Sequence, residues 1–381
     1  MNIDTIPDFL AEERDAAPAD LQHLFISFED LWERKLWHQL TDTLLEFFKH
    51  QESAPQRLRF YKTFILTFAD KINQLKLVEL ALLAASQCRD SQERLSFLEA
   101  VAKKVDNPNS QDAYVHATVA VANVKLELKD LEGARKDLDK SEKILDGFDS
   151  VETSVHAAFY QNNAQYYQQS KAEFASYYRN ALLYLACIDL NNLTTAERKE
   201  RAYNLSIAAL VSDTIYNFGE LLLHPILDSL LPENKWLRDL LFAFNRGDLA
   251  AYDVLAGNIS SNHLLSEHRD GLRQKIYLAA LTEAVFRRPP HDRAMSFRTI
   301  AEETKVRPDE IEHLIMKALS LGLLRGSIDQ VDEIARINWV QPKVLDLQQI
   351  DNMRLRLQEW DSSVNDLGRW IEKKGEDVWA A

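Results

Sequence analysis

Apolar residues recur every three or four positions through most of this chain, the spacing of one buried helical face. Leu21, Leu24, Phe25, Phe28, Leu31 and Trp32 form one stripe, and Leu36, Leu40, Leu44 and Phe47 the next. Pro55 opens a third run with Leu58, Tyr61, Ile65 and Phe68. Further helices are expected at about 75–88, 92–105, 114–128, 131–145, 151–169, 171–190, 196–213 and 218–231, with a polar break at 106–110. None of these runs can bury its stripe alone, and stacked antiparallel helix pairs solve that problem. The first 19 residues, acidic and interrupted by Pro7 and Pro18, read as a loosely docked arm.

Towards the end the period changes. A short helix is expected from Arg298 to Thr304, then a break at Lys305–Pro308 and a second helix from Asp309 to Leu321. Ile311, Leu314, Ile315, Ala318 and Leu319 give that helix one buried face, Pro308 suits its first turn, and Gly322 stops it. Leu323–Ile328, a polar turn at 329–332 and Glu333–Val340 then read as a two-stranded hairpin, with Ile337 and Trp339 alternating with Arg336 and Asn338. Helix, turn, helix and hairpin in this order make a winged helix.

A last helix is expected from about Asp346 to Lys373. Its apolar positions Ile350, Met353, Leu357, Trp360, Val364, Leu367 and Ile371 alternate by three and four, an unbroken heptad seam suited to a helical bundle. The seam either takes a partner helix or folds back on the chain's own repeats.

A winged helix invites a DNA-binding reading, but the second helix offers Asp309, Glu310 and Glu312 against only His313 and Lys317. The hairpin turn adds Asp329, Asp332 and Glu333. Phosphate contacts need cations, so the module is expected to dock protein. The candidate docking surface is Ile328, Asp329, Asp332, Glu333, Ile334, Arg336, Ile337 and Trp339. Its outer strand would offer unpaired backbone to a neighbour, and its acids would select a basic patch. The alternative is a hairpin that only covers its own core.

Composition agrees with helices and protein partners. The 381 residues carry a formal net charge of −14, which disfavours nucleic acid and anionic membrane, and only ten glycines and ten prolines. Cys88 and Cys187 lie far apart in apolar runs and read as buried free thiols of a reducing compartment. No apolar run approaches a membrane span, and the N-terminus has acids where a secretory signal has bases. A soluble intracellular protein is expected.

No H-E-x-x-H, His-x-His, P-loop or G-x-S-x-G pattern occurs. His263, Glu267 and His268 read as a solvated helix start, and the tyrosine-rich run 159–184 as packing between repeats. No catalytic, metal or cofactor residue is assigned, and the protein is not expected to be an enzyme.

Leu131-Glu132-Gly133-Ala134, Phe218-Gly219-Glu220-Leu221 and Arg246-Gly247-Asp248-Leu249 each place a glycine beside an acid at the start of an apolar run. The stretch from Asp130 to Leu145 looks like the second helix of a tetratricopeptide unit, and the irregular spacing makes this a degenerate solenoid. The expected domains are the arm (1–19), a helical-repeat solenoid (20–260), a winged-helix part (261–342) and a C-terminal bundle helix (343–381).

The successions Tyr216 to Ile226 and Trp236 to Leu249 resemble PCI-domain proteins, as do Ile276–Glu283, Ile300–Thr304, Val306–Leu321 and Arg336–Leu345. The resemblance is closest to PCI subunits of the proteasome lid and covers nearly the whole chain. It implies an all-α-dominated scaffold of the 26S proteasome regulatory particle that supports degradation of ubiquitinated proteins. Other PCI subunits would be met through the winged helix and the C-terminal helix, with the solenoid projecting as an arm near the ubiquitin-receptor subunit, in cytoplasm and nucleus. Two readings remain beside it: a PCI scaffold of the COP9 signalosome or of a translation initiation factor complex, and a nucleic-acid-binding winged helix.

Overall fold

In a computed structural model of the chain, the described residues are 6–148, 152–170, 173–289, 292–343 and 347–379. They fall into two compact units, Met1–Asn192 and Leu193–Ala381. Val151, Lys171 and Asp346, the expected starts of three helices, lie outside the described residues.

Among its described residues the first unit contains helices and no strand. Its helices are α1 (Ile6–Ala16), α2 (Gln22–Glu33), α3 (Trp37–Lys49), α4 (Ala54–Thr63), α5 (Gln74–Ala85), α6 (Ser91–Val105), α7 (Gln111–Glu127), α8 (Leu131–Leu145), α9 (Thr153–Ser170) and α10 (Phe174–Cys187). The stripes read from the sequence meet in one core, where Phe25 stands edge-on to Phe47 at 5.3 Å and Phe60 to Phe64 at 5.3 Å. The expected loose arm is instead a packed helix. Ile6, Phe9 and Leu10 of α1 are buried, Phe9 meets Phe60 at 5.6 Å, and Glu13 pairs with Arg59 at 2.7 Å. Its acids had suggested a solvated segment, but they lie on the opposite face or find arginines. The thiols are half-buried rather than buried: Cys88 lies just past the end of α5, and Cys187 closes α10.

One buried polar group makes this unit acid-sensitive. His116 in α7 is 8% exposed, and its Nδ1 has no hydrogen-bond partner. Burial pushes its pKa from 6.5 to about 4, against a weaker upward pull from Asp112. The native ring stays neutral while the unfolded chain takes up a proton, so stability falls as pH drops from 6.5 towards 4. The loss is about 3 kcal/mol at roughly 1.4 kcal/mol per pH unit. Denaturant titrations of wild type and His116→Leu at pH 7 and pH 4.5 should show a flatter pH response in the variant.

The second unit opens with α11 (Thr195–Val211), whose start carries a reciprocal Thr194–Glu197 capping box. The helix expected at 218–231 is broken. Only α12 (Gly219–Leu223) is α-helical, because Pro225 has no N–H to continue it, and a 3-10 turn covers Pro225–Leu230. Then come α13 (Lys235–Arg246), α14 (Leu249–Ser261), α15 (His263–Glu267) and α16 (Arg269–Arg287). Gly247 joins α13 to α14 at φ 65°, and a Cβ there would stand 2.5 Å from Ala280 Cα, so a side chain would push the turn off α16.

The winged helix follows as β1 (Ala294–Ser296), α17 (Phe297–Thr304), α18 (Ile311–Ser320), β2 (Leu324–Asp329) and β3 (Ile334–Val340). The expected two-stranded hairpin is part of a three-stranded antiparallel sheet in the order β1-β3-β2. β1 is only three residues long and pairs Met295 with Ala335, too short for alternation to reveal. The winged-helix core runs from Leu278, Leu281 and Val285 of α16 through Ile300, Ile311 and Ile315 to Ala335 and Ile337. The unit ends in α19 (Leu347–Trp379).

Candidate docking surfaces

The hairpin is held by a close backbone approach. At the irregularity between Arg325 and Gly326, a Cβ on Gly326 would lie 2.2 Å from the carbonyl oxygen of Arg336. Gly326→Ala must therefore part β2 from β3. It should cost about 2–3 kcal/mol, read as a lower denaturant midpoint of the full chain.

Pairing through β3 sorts the predicted surface. Ile337 is 5% exposed and belongs to the core, so its place in the docking surface is corrected: alternation along β3 turns it inward with Ala335. Arg336, Asp332 and Glu333 are exposed, whereas Ile328, Asp329, Ile334 and Trp339 are half-buried. Trp339 is covered by Arg325, whose guanidinium lies 4.6 Å from the ring centre. The turn is ordered from within: Asp332 N–H donates to Asp329 Oδ1 at 3.2 Å, and Gln330 Nε2 donates to Glu312 Oε2 at 3.1 Å. Val331, absent from the sequence-derived surface, is 93% exposed at its tip. β2 forms one edge of the sheet.

Three cations beside this face are engaged by acids. Arg307 pairs with Glu310, Arg298 with Glu302 at 3.3 Å and Arg288 with Glu303 at 2.9 Å. Asp309, at the start of the helix that would enter a DNA groove, is exposed. Acids at the helix start and paired arginines leave this face few free cations for phosphate.

The C-terminal helix presents the larger surface. All seven seam residues are exposed, from 46% at Val364 to 67% at Trp360. Leu355 and Trp370, off the seam, are 44% and 59% exposed. Large apolar side chains in a continuous row on one helix face are what a partner helix covers.

Two buried charges of α16 escaped the sequence reading. Lys275 is 5% exposed and donates to the carbonyls of Ala209, Leu210 and Ser212 at 2.8, 3.1 and 2.6 Å, closing the C-terminal end of α11. Burial pulls its pKa down to about 7, and Asp213 acts the other way. Glu283, 8% exposed, takes Lys343 at 3.1 Å. Both fall on the apolar stripe Leu272-Ile276-Ala279, and a charge at a stripe position is the signal that could have found them. Elsewhere on the surface, His263 and Glu267 make a solvated pair at 3.6 Å. Among the described residues no cluster of His, Cys, Asp or Glu could hold a metal, and no helix is long and apolar enough to cross a membrane.

Residues 24–241 match the PSD13 N-terminal repeats, residues 249–339 the PCI domain and residues 343–375 the Rpn9 C-terminal helix. A Schizosaccharomyces pombe protein described as probable 26S proteasome regulatory subunit rpn9 is 44% identical over 373 residues, 98% of this chain and 97% of that protein. The chain belongs to the Rpn9/subunit 13 family of 26S proteasome regulatory subunits. The Saccharomyces cerevisiae regulatory subunit RPN9 is 41% identical over 99% of this chain and 98% of its own length. Arabidopsis thaliana non-ATPase regulatory subunit 13 homolog B is 36% identical over 98% and 99%. Subunit M of Aspergillus clavatus translation initiation factor 3 is 22% identical over 52% of this chain and 43% of its own length. The Rpn9 C-terminal helix match spans every position of the exposed seam and starts at Lys343.

Proposed function

We propose that this chain is a non-catalytic scaffold of the proteasome lid, docking neighbouring subunits through α19 and the winged helix. Family membership supports the complex, and the uncovered heptad of α19 supports the mode of docking. Seven large apolar residues buried against partner helices contribute on the order of 10 kcal/mol before the costs of association. The acidic wing, with Val331 at its tip and β2 at the sheet edge, is the second contact and suits a basic neighbour. Burial pushes both thiols up, which disfavours a thiolate nucleophile and supports a binding role. The ubiquitin-receptor subunit is the proposed neighbour of the N-terminal helices, in cytoplasm and nucleus. Mild-salt purification of the tagged chain with mass spectrometry is the test. Lid subunits in near-equal amounts support the proposal; signalosome or initiation-factor subunits, or the chain alone, overturn it. Salt-sensitive binding of the purified chain to duplex DNA would favour the nucleic-acid reading instead.

A further inference from the structure

A fixed root for the helix that carries the exposed seam lowers the ordering cost of docking it. The chain leaves β3 at Val340, and Lys343 lies four residues before α19. Lys343 is not a tether in solvent. Its side chain is 11% exposed, and Nζ donates to Glu283 Oε2 at 3.1 Å and to the carbonyl of Asn245 at 3.3 Å. The other carboxylate oxygen of Glu283 accepts from Arg287 Nε at 3.2 Å. One buried carboxylate of α16 thus joins its own last turn to Lys343, while Asn245 adds the end of α13.

We propose that Glu283 is a positioning residue for partner docking: it clamps Lys343 so that α19 leaves the winged-helix module from a fixed root. The inference rests on the scaffold reading but concerns a group that touches no partner. A hydrogen-bonded buried ion pair is directional, whereas an apolar replacement of similar size often matches its stability without fixing geometry. That difference separates positioning from mere structural support.

The test uses the full chain, free and in assembly, with three variants. Glu283→Gln leaves Lys343 buried beside a neutral amide and should weaken both fold and clamp. The double variant Glu283→Met with Lys343→Met should keep the denaturant midpoint near wild type, since no buried charge is left unpaired and Arg287, which loses Glu283, is 70% exposed. Hydrogen exchange of the free double variant should nevertheless be at least about tenfold faster at the amides of 347–350, one factor of ten per 1.4 kcal/mol of lost clamping. Its recovery in the assembled complex should also fall. Lys343→Arg, which keeps the charge, should restore both. Wild-type exchange in the free double variant overturns the clamp whatever happens in assembly. Faster exchange with wild-type incorporation overturns its role in docking. If even a variant with a charged seam incorporated normally, the scaffold reading itself would fail, and the free-chain exchange would still report on the clamp.

Discussion

Replacing Leu357 and Trp360 together by Asp is expected to lower incorporation of the chain into the regulatory particle by at least about a hundredfold, while the free chain stays folded. In the free chain these residues are 63% and 67% exposed, so carboxylates there remain hydrated and cost little. Against a partner helix they would occupy successive core layers of the seam. Burying an unpaired charge costs several kcal/mol, and each 1.4 kcal/mol is a factor of ten in affinity. Co-purification measures the loss, and circular dichroism with thermal unfolding confirms that the free protein is intact. Normal incorporation would show that the seam is not the docking surface. Unfolding of the free variant would show that it is covered within the chain.

Lys275→Met is expected to have the largest effect on stability, about 3–5 kcal/mol. The last carbonyls of a helix have no partner within it. At the end of α11, Lys275 supplies the donor to three of them, and its ammonium also lies 5.2 Å from the ring centre of Phe218 and 5.5 Å from that of Tyr216. A neutral amine has two N–H groups and could not satisfy all three carbonyls. Methionine fills the space, keeps the apolar stem and supplies none. Denaturant unfolding of the full chain should show the second unit melting early, with α11 and the helix corner at Tyr216–Phe218 losing protection first. A midpoint within about 0.5 kcal/mol of wild type would mean that water replaces the ammonium and that the cap is dispensable.

The helical repeats were legible wherever the period holds: the stripes at Leu24-Phe25-Phe28 and Leu40-Leu44-Phe47 are those buried in the first unit. The winged helix was legible for the same reason, with Pro308 opening and Gly322 closing its second helix. What stayed hidden depends on contacts between distant residues. β1 is recognisable only by its pairing with β3, and α1 is a helix whose acids advertise solvent while Phe9 reaches Phe60. Ile337 was assigned to a surface because alternation states that a strand has two faces and not which of them is covered. Of the repeated glycine–acid pairs, Gly247 alone takes a left-handed turn; at Leu131–Ala134 the cap is Asp130, which accepts from Gly133 N–H at 3.0 Å. The seam of α19 was readable in full, since a heptad is a local pattern. Lys275 and Glu283 were not, because a charge on an apolar stripe reads as an exception until its partners are known.

The most direct test of the docking account is photo-crosslinking from a benzophenone side chain placed at Leu357, carried out in assembled proteasome and in the free chain. The account predicts crosslinks to a helix of another regulatory-particle subunit in the assembly, and none of comparable yield within the free chain. Crosslinks confined to this chain in both samples would contradict it.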